Sequence, residues 1–191
     1  MVYCDYVSPF CYMAEPALRR LRAEAGVQVE HRAYELWPAP AALPDPREAE
    51  REWAEVVEPL ARALGVELRF PRIQPRTRKA HEAAAYARDH GRFDELHEAL
   101  YRAHFVEGLD IGRIDVLAEV GARAGLDAQD LRIALSVDRY TDQVLAEELE
   151  AVRRGVRGVP AYVVGGRLIM GLQRYEDLLE QIQRGAAGAG G

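Results

Sequence analysis

The chain has 191 residues, of which 49% are hydrophobic and 29% charged, and a net charge of −6. That length suits one domain with a sizeable core, and the acidic balance excludes a general nucleic-acid-binding surface. Lys79 is the single lysine, a bias toward arginine that reads as genomic composition. No apolar run approaches the roughly 18 residues of a membrane span. The N-terminus lacks the basic flank and apolar stretch of a signal peptide. Two cysteines cannot build a disulfide framework, so a reducing cytoplasm is the expected compartment.

Strand signals lie at the two ends. The run Val2 to Val7 reads as the first strand, with a helix over Tyr12 to Ala25 behind it, and Val27 to Leu36, partly alternating, reads as a half-buried second strand. Pro38, Pro40, Pro44 and Pro46 mark a loop. Helices are expected over Arg47–Leu64, Thr77–Asp89, Phe93–Phe105, Ile114–Ala124, from an Asp127 cap onward, and over Tyr140–Arg154. Ala161–Val164 and Arg167–Met170 flank Gly165-Gly166, the signature of a tight hairpin. Gly185 to Gly191 contains only glycine and alanine and is expected to be a disordered tail. The order implies a βαβ unit and a ββα unit sharing one sheet, with helices inserted between them.

Chemistry concentrates at Ser8-Pro9-Phe10-Cys11, between the first strand and its helix. Ser8 suits the N-cap and Pro9 the first helical position. A group placed there meets the positive end of the helix dipole, which favours thiolates and other anions. Pro16 lies five residues beyond Cys11, inside a helical run it should kink. Gly158-Val159-Pro160 stands directly before the C-terminal hairpin.

Together these features resemble the DsbA-like branch of the thioredoxin superfamily, over Tyr3 to Gln183. Ser-Pro-Phe-Cys is similar to the family's Cys-Pro-Trp-Cys, Pro16 to its kink proline and Val159-Pro160 to its cis-proline pair. Arg76 to His81 and Phe105 to Gly112 resemble FrnE-type members. The resemblance implies an α/β thioredoxin fold formed by 1–37 and 155–184, with a helical insertion over 38–154. It also implies a thiol or peptide site built from Ser8, Cys11, Pro9, Phe10, Val159 and Pro160.

Ser8 departs from the family, because disulfide exchange needs a thiolate and a hydroxyl cannot replace it. Kappa-class glutathione transferases and 2-hydroxychromene-2-carboxylate isomerases resemble this Ser-Pro motif. In them the serine stabilises the thiolate of bound glutathione, and Arg174 partly matches their γ-glutamyl-binding segment. Cys4 and Cys11 are either two small core cysteines or a displaced redox pair. The basic run Arg69, Arg72, Arg76, Arg78 and Lys79 either attracts an anionic substrate or forms a solvated face. His81 is read as structural rather than as a proton carrier, Gly91 separates His90 from His97, and no Cys/His cluster supports a metal site. Three readings follow. One is a DsbA/FrnE-type oxidoreductase working through Cys11, with no tightly bound cofactor. Another is a glutathione-like thiol-dependent isomerase or transferase working through Ser8. The last is a module that binds small thiols or peptides without turnover.

Overall fold

The computed structural model describes residues 1–188. A four-stranded sheet has the order β2-β1-β3-β4. Strand β1 (Val2–Cys4) pairs in parallel with β2 (His31–Ala33), Tyr3 opposite Arg32, and the two are joined through helix α1 (Pro9–Ala25). On its other side β1 pairs antiparallel with β3 (Ala161–Val164), which turns through Gly165-Gly166 into β4 (Arg167–Met170). Both turn glycines have positive φ, 53° and 79°, as this two-residue connection requires. Helix α9 (Tyr175–Gly188) packs back on α1 and β3.

All three residues of β1 are buried, because the strand is covered on both faces. Val2 packs with Leu18 and Leu21 of α1, Tyr162 and Leu178, whereas Tyr3 meets Ala151, Val156 and Ala161. Between β2 and β3 the chain is helical. A continuous helical rod contains α2 (Pro46–Glu52), a π-helical turn (Trp53–Val57) and α3 (Glu58–Leu64). Then come α4 (Arg78–Asp89), α5 (Phe93–Phe105), α6 (Ile114–Arg123), α7 (Ala128–Ser136) and α8 (Thr141–Arg153). Their core is continuous with Cys4, Tyr6, Cys11 and Met13, so the helices seat directly on the motif segment.

The first two strands are shorter than the sequence suggests. Asp5 to Ser8 form a turn closed by Ser8 N–H donating to the Asp5 carbonyl at 3.1 Å. Past β2, the Leu36 N–H is taken by the Asp5 carboxylate at 2.7 Å rather than by a neighbouring strand. Gly185–Gly188, expected to be disordered, continue α9; the remainder of that tail lies outside the described residues. No helix among the described residues is long and apolar enough to cross a membrane.

Candidate active site

Helix α1 starts where its sequence permits. Ser8 has extended backbone angles and accepts the Cys11 N–H on its hydroxyl oxygen at 3.3 Å, while Pro9 occupies the first turn. The Phe10 N–H meets no acceptor among the described residues and adds a free donor to the positive helix end. With its oxygen accepting the Cys11 N–H, the Ser8 hydroxyl has one proton to donate, for which the adjacent Cys11 sulfur and an acceptor in the cavity compete.

Ser8, Pro9 and Phe10 line a cavity of about 250 Å³, closed on other sides by Gly158 and Val159, by Leu36 and Trp37, and by Trp53, Phe70 and Phe105. Ser8 is only 1% exposed, as buried as Cys11, and its place in the cavity lining is what sets the two apart. The π-helical turn contributes Trp53 and Val57 to the same lining, a placement common for such turns. Val159 and Ser8 thus face one space. The Val159–Pro160 peptide bond is cis; Pro160 is buried behind Val159, and its carbonyl accepts the Gly171 N–H at 2.8 Å.

Cys11 does not share that space. It is 2% exposed and absent from the cavity lining. Burial pushes its thiol up to about 12, against the opposing pull of the Ser8 hydroxyl and the Asp5 main chain. At that value Cys11 is a protonated packing group at neutral pH. Cys4 is likewise buried, its thiol raised by burial and by the nearby Cys11, and both cysteines are free. The Cys4 thiol donates to the Arg32 carbonyl at 3.8 Å.

The basic run is mostly occupied elsewhere. Arg76 donates to the Trp37 and Ala41 carbonyls at 2.6 and 2.7 Å, Arg78 pairs with Glu35 and Glu148, and Lys79 pairs with Glu82 and Asp138. Arg69 sits near Glu67 on the surface. None of these side chains lines the cavity, so of the two alternatives for this run the anion-attracting cover is the one the lining does not support. Arg174 precedes α9, is largely exposed, and pairs with Asp177 at 2.8 Å outside the cavity. His90 is exposed at the end of α4, hydrogen-bonded to the Tyr86 carbonyl. His81 is buried, with Nε2 3.4 Å from Asp5 Oδ1.

One cluster has no signature in the sequence, because His31 and His97 stand 16 and 82 positions beyond Glu15. Glu15 of α1 accepts from His31 Nε2 and His97 Nε2, both at 3.1 Å, and the Tyr6 hydroxyl meets His97 Nδ1 at 2.9 Å. Burial raises the Glu15 carboxyl, but His97 and His31 outweigh it and hold the group below the usual carboxylate range. The three ligand-type atoms lie within 4.8 Å of one another, a set that could surround a divalent ion. A metal-bound imidazole, however, donates its far N–H to an acceptor. The far nitrogen of His31 faces a donor, Arg22 Nη2, at 3.2 Å. That assigns the His31 proton to Nε2, pointing at Glu15, and makes the cluster a hydrogen-bonded network joining α1, β2 and α5.

Comparison with known proteins agrees with this architecture. The chain is 32% identical over 178 residues to the uncharacterized protein YwbO of Bacillus subtilis (strain 168), covering 89% of this chain and 88% of the relative. Among solved structures it is similar to a probable DsbA oxidoreductase, SCO1869 of Streptomyces coelicolor (26% identity, TM-score 0.81, 97% and 88% of the two chains). The fold is also shared with a 2-hydroxychromene-2-carboxylate isomerase (22%, TM-score 0.80, 100% and 98%). A third neighbour in fold is the cytosolic disulfide reductase DsbM of Pseudomonas aeruginosa, solved with GSH (19%, TM-score 0.69, 98% and 95%). With residues 1–183 matching the family's own pattern, the chain belongs to the DsbA-like thioredoxin domain family.

Proposed function

We propose that this protein is a thiol-dependent enzyme of the oxidoreductase/isomerase type in which Ser8, not Cys11, holds the reactive sulfur. That sulfur arrives on a low-molecular-weight thiol of the glutathione kind or on a substrate thiol. The observation that carries this reading is the division between Ser8, which opens onto the cavity, and Cys11, which is walled off with its thiol pushed up to about 12. The GSH bound to DsbM supports a thiol ligand on this fold. Two buried, free cysteines accord with a cytoplasmic setting.

The residues present fit such a ligand. The Ser8 hydroxyl donates to the thiolate, and the α1 N-terminus with the Phe10 N–H stabilises its charge, together lowering the thiol's pKa. Trp37, Trp53, Phe70 and Phe105 exclude water and so strengthen both interactions. The bound thiolate supplies the nucleophile for a disulfide sulfur or an electrophilic carbon. Asp5 fixes the turn that presents Ser8, through the Ser8 N–H and the Leu36 N–H.

Glutathione-dependent reduction of hydroxyethyl disulfide tests the assignment. Ser8→Ala is expected to lower kcat/KM about tenfold or more and to move the alkaline-rising limb of the pH profile up by about one unit. Cys11→Ala should stay within about threefold of wild type, because a protonated packing thiol contributes no nucleophile. The reverse pattern would return catalysis to Cys11. The near-complete burial of Ser8 favours a second reading, a non-catalytic groove, which retained thiol binding with no turnover in wild type would leave standing.

A further inference from the structure

Five aromatic side chains, Phe10, Trp37, Trp53, Phe70 and Phe105, dominate the cavity beside Ser8. Its only polar side chains among the described residues are Ser8, Gln74 and Glu52, and no lysine, arginine or histidine lines it. Arg51, Arg69 and Arg72 adjoin lining residues in sequence but are exposed and do not line the cavity, and Arg76 and Arg78 are held by the Trp37 and Ala41 carbonyls and by Glu35 and Glu148. Away from Ser8 and the α1 N-terminus, where a single thiolate is held, an anionic group lying among these rings loses its hydration, finds no cationic side chain, and faces the Glu52 carboxylate at the rim. An uncharged ring loses only unfavourable contacts with water and gains aromatic neighbours.

Resting on the reading that a second substrate meets a thiol at Ser8, we infer that the part of that substrate held among the aromatic rings is apolar, ring-sized and free of negative charge. This excludes from the cavity the kind of carboxylate named for the isomerase that shares the fold. It also places the carboxylates of any glutathione-like thiol outside the aromatic space, with only the sulfur reaching Ser8.

The chain's two tryptophans, Trp37 and Trp53, both line the cavity, so intrinsic fluorescence reports its occupancy directly. The test titrates wild-type protein and Ser8→Ala, which lacks the hydroxyl donor for an anion at the α1 N-terminus, with phenylacetamide and with phenylacetate in the absence of thiol, two probes matched in size and different in charge. Phenylacetamide is expected to give a saturable change at an affinity about tenfold or more tighter than phenylacetate. Trp37→Phe and Trp53→Phe should each retain part of the signal, and Glu52→Gln should narrow the gap between probes by no more than about threefold. That small effect follows because Glu52 is exposed and its repulsion is screened, leaving desolvation as the main discriminator. Phenylacetate binding as tightly as the amide, or no saturable signal with either, overturns the inference. Because the measurement needs no turnover, a failure of Ser8 in the thiol assay leaves its outcome untouched.

Discussion

At position 8 a single atom decides which sulfur chemistry the motif can perform. The oxygen of Ser8 caps α1 and cannot attack a disulfide, while the helix N-terminus beside it favours a negative charge. Ser8→Cys is therefore expected to create a working dithiol. The new thiol would sit at the helix N-terminus with its pKa depressed, and Cys11, inert toward groups in the cavity, would meet a sulfur three residues away on which it can close an internal disulfide and release the reduced substrate thiol. Insulin reduction by the variant, absent in wild type, is the expected result. A disulfide between the introduced thiol and Cys11, seen by mass spectrometry in an inactive variant, would show that the cavity does not admit protein disulfides. The cap, the first-turn proline and the loop before β3 are legible in the sequence because each is a local rule of backbone geometry. The state of Cys11 is not, because the groups that bury it come from the turn at Asp5 and from helices dozens of residues away.

Elements tell a similar story. The helices from Arg78 to Arg153 match their sequence patterns to within a residue or two, since a buried apolar stripe with caps is a short-range signal. The second strand is shorter than its pattern because alternation continues past Ala33, whereas the chain leaves the sheet once Asp5 takes the Leu36 N–H. The π-helical turn leaves no trace in the pattern, as one widened turn barely shifts the apolar spacing. Between β2 and α2, the segment from Trp37 to Asp45 has no regular structure of its own, and Arg76 ties it down at two carbonyls. Charge-assisted bonds of this kind contribute about 1.5–3 kcal/mol each when buried and less at this partly exposed site. Arg76→Ala is expected to cost about 1–2 kcal/mol of stability, to speed hydrogen exchange around Trp37 to Ala41, and to raise KM severalfold with kcat nearly unchanged. Unaltered exchange in that segment would remove Arg76 from the cavity's support.

Across the whole molecule, buried polar groups join the sheet to the helices that follow it. Glu147 of α8 accepts the Ala33 N–H at 2.7 Å and pairs with Arg32 at 3.0 Å, and Glu15 draws in His31 and His97. Two buried histidines then set how the fold responds to acid. Burial pushes His31 down to about 4, with His97 adding to the effect, and burial pushes His104 down to about 4, only partly offset by the Leu109 main chain. Their ordinary value is 6.5, so between pH 6.5 and 4 the unfolded chain binds protons that the folded chain refuses, and stability falls as pH falls through that window. Glu15, held below its ordinary 4.5, contributes stability that is lost below that pH, in the same direction.

Each histidine accounts for at most about 3 kcal/mol across this window, at about 1.36 kcal/mol per pKa unit. Glu148 opposes the histidines, because burial and the neighbouring Glu35 raise its carboxyl to about 7 and it gains stability as pH falls through the same window. The net loss between about pH 7 and pH 4.5, measured as the urea midpoint, should therefore be on the order of one histidine's share of a total of roughly 5–15 kcal/mol. The two histidines separate by substitution. Neither ring nitrogen of His104 has a partner at good hydrogen-bond geometry, the Leu109 main chain lying only near enough to favour the protonated ring. His104→Leu therefore removes a desolvated polar ring without orphaning a side chain. That variant should be as stable as wild type or more so at neutral pH and should show a visibly shallower loss toward acid. His31→Leu takes a donor from the buried Glu15 carboxylate and should cost about 3 kcal/mol even at neutral pH. If His104→Leu keeps the full wild-type slope, the acid sensitivity lies with the Glu15 network alone, and His104 is a bystander in the core.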